Sequence, residues 1–123
     1  MTRAWLVAAA MGGLISVVAA AAGRHLAADE RTAEVLRTGA LYGMIHATAL
    51  IAIAALATSR ARPNRALEVA GWSFSVGMLL FSLSLFALAL SGFEWLGWMT
   101  PIGGLGLLVG WASLAVAALS RSD

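Results

Sequence analysis

The stretch GALYGMIHATALIAIAALA, residues 39–57, contains no Asp, Glu, Lys or Arg. At 1.5 Å per residue a helix of this length covers about 30 Å, the thickness of a bilayer's hydrocarbon core. Residues 4–22, 69–90 and 99–119 have the same character, and none of these stretches holds a charged residue. The bilayer is therefore the solvent for most of the chain. The predicted fold is an all-α membrane protein, one domain over residues 1–123 forming a four-transmembrane-helix bundle.

Composition agrees and excludes several function classes. Hydrophobic residues make up 61% of the chain and charged residues 11%, far from a soluble balance. The longest polar stretch, residues 24–37, leaves no room for a soluble domain. There is no cysteine, which removes disulfides, thiolate metal sites and thiol nucleophiles. All eight basic residues are arginines at span ends or in connections, with no clustered basic face, so no nucleic-acid partner is expected. Arg3, an apolar run and Ala19 to Gly23 superficially resemble a secretory signal. The run exceeds the roughly 7–15 residues of a signal's apolar region, so an uncleaved span is expected.

Arginine placement gives an orientation, since acidic residues contribute little to it. Arg3, Arg60, Arg62, Arg65 and Arg121 fall on one side, and Arg24, Arg31 and Arg37 on the other. Both termini are expected in the cytoplasm. Trp5, Trp72, Trp95 and Trp98 lie near span ends, where amphipathic rings prefer to sit, whereas Trp111 lies mid-span. Between the first two spans, Asp29 is a plausible N-cap, and Val35 and Leu36 oppose Glu30, Arg31 and Glu34. This segment reads as a short interfacial helix, or as one running straight into the second span.

Small residues recur at alternating spacings of three and four. Ala9, Gly13, Ser16, Ala20 and Gly23 form one such row, and Gly103, Gly106, Gly110, Ser113 and Ala117 another. That repeat keeps each set on one helix face, and small faces let backbones approach closely in lipid. Spans one and four are expected to pack through these faces. Gly39, Gly43 and Ala47 form a similar stripe in span two.

The residues most able to carry chemistry are also in span two. Thr38, Tyr42 and His46 follow at four-residue spacing and share a face. His46 lies about 12 Å along the axis from Thr38, close to the bilayer centre, where an ionisable residue is a functional candidate. It is expected to be neutral and to bond another helix, with Ser82, Ser84, Thr100 or a carbonyl near Pro101 as partners. Tyr42 is expected on the same inward face. The competing account is a purely structural hydrogen bond. His25, just past span one, reads as interfacial. Two histidines alone make an incomplete metal site, so no metal or cofactor is expected. No acid lies within the spans to build a catalytic triad around His46.

Several segments together resemble a known family. They are Gly23-Arg24-His25-Leu26, Thr38-Gly39-Ala40-Leu41-Tyr42 with His46-Ala47, Leu80-Phe81-Ser82-Leu83-Ser84-Leu85, and Leu96-Gly97-Trp98-Met99-Thr100-Pro101-Ile102-Gly103-Gly104. In order and spacing they resemble the YgdD-like small inner-membrane proteins, a domain family of unknown function with mitochondrial relatives in animals. Thr-Pro-Ile-Gly-Gly is the most specific element. The chain departs from the family pattern at Arg24, usually a small residue, and at Gly43, where glutamine is common. It departs also at Leu83, where glycine is common, and at Phe86, where tyrosine is common. The resemblance implies a four-helix protein of the inner membrane and brings no established activity.

The expected function is a non-enzymatic membrane bundle that contacts membrane lipids and either self-associates or joins a larger membrane complex. The alternatives are a small transporter or channel, and a metal or redox site centred on His46. Dimeric multidrug exporters of this size resemble a design with a glutamate deep in span one, and fluoride channels one with a buried asparagine. Span one here has no acid, and Asn64 is in a connection.

Overall fold

The computed structural model describes residues 1–120, so Arg121, counted above toward the orientation, lies outside the described residues. Four long helices follow one another: α1 (Thr2–His25), α2 (Glu30–Ser59), α3 (Arg65–Ser91) and α4 (Met99–Leu119). All four are long and apolar enough to cross a membrane. Each connection has a local cause. The Asp29 carboxylate accepts from the Thr32 backbone N–H at 2.7 Å and caps α2. That hydrogen bond holds the Asp29 carboxyl below its ordinary pKa. Asn64 caps α3 in the same manner through the Leu67 N–H, and its amide also donates to Ser120 Oγ, tying the second connection to the end of α4. Gly92, at φ 73°, ends α3 in the left-handed conformation that glycine adopts without steric cost.

One expectation about the connections is corrected. No separate interfacial helix stands between the first two spans, because residues 30–38 are the opening turns of α2. The Asp29 cap starts the helix there, and nothing breaks it before the apolar stretch. An exposed Arg37–Glu30 ion pair, 2.7 Å long, lies along these turns. The short helix is instead a 3₁₀ segment, Glu94–Trp98, leading into α4. At 30 residues α2 is about 45 Å long, so it outreaches the hydrocarbon core.

Helix α3 is the centre of the arrangement. It packs against α1, α2 and α4, while α2 also packs along α1. Among the described residues α1 and α4 do not meet, so the expected seam between spans one and four is absent. The two rows of small residues serve different neighbours. Gly103 and Gly106 lie against Gly77 of α3, backbone to backbone. A Cβ on Gly77 would sit 2.9 Å from the Gly103 carbonyl oxygen, and one on Gly103 would sit 2.5 Å from the Phe81 nitrogen. Gly110 receives the Phe74 ring. On α1, Gly12 accommodates Met78 of α3, whereas Gly13 is looser, with its nearest neighbour the Ala47 Cβ at 4.0 Å.

The main core holds Trp5, Leu50, Ile53, Leu67, Phe74 and Met78, all buried. Trp5 lies near the start of α1, as its place near a span end predicts, but is buried in the bundle. Its ring lies against Gly71, 2.5 Å from where a Cβ would stand, and meets the exposed Trp72 edge-on at a centroid distance of 6.1 Å. A smaller cluster of Ala19, Leu36, Ala40 and Phe86 fills the other end, with Phe86 lying over Gly39.

Candidate functional site

His46 is buried, and both of its ring nitrogens are engaged. Nδ1 lies 2.7 Å from the Tyr42 carbonyl oxygen, one turn back on α2. Nε2 lies 3.0 Å from Nε1 of Trp111 on α4. Indole N–H can only donate, so Nε2 accepts and carries no proton. Nδ1 then holds the ring's proton and donates it to the Tyr42 carbonyl. The bonding pattern therefore assigns a neutral imidazole and its tautomer.

This contact joins two helices whose backbones do not pack against each other, reaching across α3. An aromatic cluster supports it. Phe74 of α3 meets both the His46 and Trp111 rings edge-on, at 5.3 and 4.9 Å between centroids. Such pairs fix ring orientation as well as adding contact energy. Trp111 is 45% exposed, with its N–H turned inward and part of its ring toward the surroundings. Its mid-span position in the sequence leaves it either packing inside or facing lipid. The available clue was chemical: a tryptophan at that depth carries a donor that needs an acceptor.

The other candidates do not converge on His46. Tyr42 is 42% exposed, which corrects its expected inward place. Its ring runs parallel to His46 and tilts against Phe81 at 4.7 Å. Gly39 and Gly43 hold the face pressed against α1 and α3, and Tyr42, about 100° round the helix from Gly43, lies at the edge of that face. Thr38 is half-buried. The expected partners of His46 bond elsewhere. Ser82 Oγ donates to the Gly39 carbonyl at 3.1 Å, linking α3 to α2. Ser84 Oγ donates to the Phe81 carbonyl at 2.9 Å and meets Thr100 Oγ1 at 2.7 Å, linking α3 to α4. With the Ser84 proton used on Phe81, Thr100 is the donor in that pair.

His25 ends α1 and is exposed. His46 lies sixteen residues beyond the start of α2, roughly 24 Å along the axis, so the two histidines are not brought together. Among the described residues no group of three or more His, Cys, Asp or Glu is placed to hold a metal ion.

Ser16 is the remaining polar residue of note. It is buried against Gly43 of α2, and its hydroxyl has no hydrogen-bond partner among the described residues. Ser16→Ala is expected to be neutral or slightly stabilising, since it deletes a buried polar group that gains nothing. Gly43→Ala is expected to lose about 1–3 kcal/mol, because the new Cβ strikes the Ser16 hydroxyl. Combining the two should recover most of that loss. Unfolding titrations in mixed micelles would show the recovery, and additive losses would contradict the contact.

The family model described as "Protein of unknown function (DUF423)" matches residues 19–104. A UPF0382 membrane protein of Haemophilus influenzae is 37% identical over 100% of this chain and 99% of its own length. The UPF0382 inner membrane protein YgdD of Escherichia coli K12 is 33% identical, over 96% of this chain and 91% of its own length. The UPF0382 membrane protein YwdK of Bacillus subtilis is 31% identical, over 95% and 97%. No solved structure matches the chain.

Proposed function

From the chain's membership of the DUF423 family of membrane proteins, we propose that it is a non-enzymatic, lipid-contacting bundle acting by self-association or as an accessory subunit of a larger membrane complex. One observation carries the reading: the ionisable side chain deepest in a span, His46, has both nitrogens committed to internal bonds. A proton carrier or metal ligand needs a nitrogen free to exchange its partner. The hydroxyls of Ser82, Ser84 and Thr100, which do not reach His46, are likewise spent on joining helices.

The test is purification from native membranes under mild detergent, with metal analysis and an absorbance spectrum. The reading expects a stable assembly, of this chain with itself or with other membrane proteins, and no stoichiometric metal or chromophore. A monomer carrying bound metal or a cofactor would overturn it and favour the redox alternative. Substrate-dependent flux through liposomes holding the purified chain would favour the transporter.

The relative YgdD is named an inner membrane protein, and the same membrane is proposed here. The cytoplasmic side then holds both termini and the second connection, with Arg60, Arg62 and Arg65. Reporter fusions at the C terminus and in that connection should both report a cytoplasmic location. An external C terminus would reverse the assignment.

A further inference from the structure

We propose that a groove between α3 and α4, headed by Arg65, holds one anionic phospholipid, its phosphate at the arginine and an acyl chain along the groove. This deepens the lipid-contacting reading above and rests on it. The groove encloses about 310 Å³ and is lined by Arg65, Val69, Val109, Ala112, Ser113 and Val116 among others. Its composition changes along its length as a phospholipid's does. The head is an exposed guanidinium at the first residue of α3. The rest is apolar apart from the Ser113 hydroxyl. Ala112 and Ser113 are small, and leave a slot between the larger valines.

Charge selects the occupant. Among the described residues Arg65 is the one charged side chain lining the groove, while Arg60 and Arg62 of the preceding connection and Glu68 on the first turn of α3 line a separate cavity beside Met1 and Trp5. Among the described residues none of these three arginines is in an ion pair. Asn64, beside them, accepts from the Leu67 N–H through its amide oxygen and donates one of its two amide hydrogens to Ser120. Arginine matches phosphate oxygens with paired donors, and basic residues at a span end attract anionic headgroups. An apolar neighbouring helix in the groove would leave the Arg65 guanidinium unpaired, and a free anion would have no use for the apolar slot.

The test is native mass spectrometry of the purified full chain, offered phosphatidylglycerol or phosphatidylcholine with identical acyl chains. Wild-type protein should retain one phosphatidylglycerol about fivefold better than phosphatidylcholine, the discrimination worth roughly one arginine at an anionic surface. Arg65→Gln should erase the preference, and Arg65→Lys should restore part of it. Ala112→Phe should prevent retention of either lipid, with helix content unchanged by circular dichroism. Equal retention of the two lipids by the wild type, or a preference that survives Arg65→Gln, would overturn the site. Displacement of the lipid by millimolar inorganic phosphate would reassign it as a free-anion site, overturning the lipid occupant. Cross-linking of Ala112→Cys to its counterpart in a second copy would give the groove to a protein partner, with the same consequence. Each of these failures leaves the non-enzymatic reading standing, because that reading falls only to a bound metal, a cofactor or measured flux.

Discussion

Gly103→Ala is expected to unseat α4 from α3 and to cost about 3 kcal/mol, the upper end of the range for overpacking. The size follows from what the new methyl meets. Its nearest neighbours are the Phe81 backbone nitrogen at 2.5 Å, the Phe81 Cα at 2.8 Å and the Gly77 carbonyl oxygen at 3.0 Å. Backbone atoms cannot swing aside as a side chain can, so relief requires the helices to separate along their shared seam. Gly104→Ala is the internal control. A Cβ there meets only the Phe81 ring at 3.8 Å, an ordinary contact. Because alanine favours helix by up to about 1 kcal/mol over glycine, this change should be neutral or stabilising. Reversible unfolding in bicelles would separate the two neighbours, and equal effects would contradict the close approach of α3 and α4.

His46→Leu is expected to cost about 2 kcal/mol, and more than Trp111→Phe. The asymmetry comes from what each change leaves behind. Removing the imidazole strands the indole N–H, and an unpaired donor in an apolar setting costs about 1–3 kcal/mol. Removing the indole N–H leaves an imidazole with a spare acceptor beside a half-exposed ring, which is a milder defect. The double mutant should then cost less than the sum, by the coupling of the shared bond. Interhelical hydrogen bonds in membranes are worth about 0.6–2 kcal/mol, so a coupling near 1 kcal/mol is expected. A cycle with no coupling would mean that the bond does not form in the bilayer.

The spans could be read almost directly, because a charge-free apolar run of bilayer length has few other uses. The pairing of those spans could not. Gly103, Gly106 and Gly110 announce that something approaches closely, but a small-residue row is silent about its partner. The partner is α3, where Ser73, Gly77 and Ser84 share a face, but nothing in that spacing says which helix it meets. Trp5 was read from its place near a span end, yet Gly71, sixty-six residues away, opens the space that buries it. The inward turn of His46 followed from the cost of leaving it in hydrocarbon. Its partner did not, because the serines and Thr100 that looked equally suited are consumed by nearer acceptors. The first connection was legible in part: the Asp29 cap and a helix running straight into the second span are what α2 shows, whereas charge patterning, which only marks a surface, suggested a separate interfacial piece.

His46, the ionisable side chain deepest in a span, acts as a structural cross-link between α2 and α4. Nitrogen-15 solid-state NMR of histidine-labelled protein in lipid bilayers at pH 7 tests this most directly, with His25→Gln used to leave one signal. The expected spectrum shows a single neutral imidazole, protonated at Nδ1, with Nε2 unprotonated and accepting a hydrogen bond from the Trp111 indole. A ring protonated at Nε2, or at both nitrogens, would contradict it.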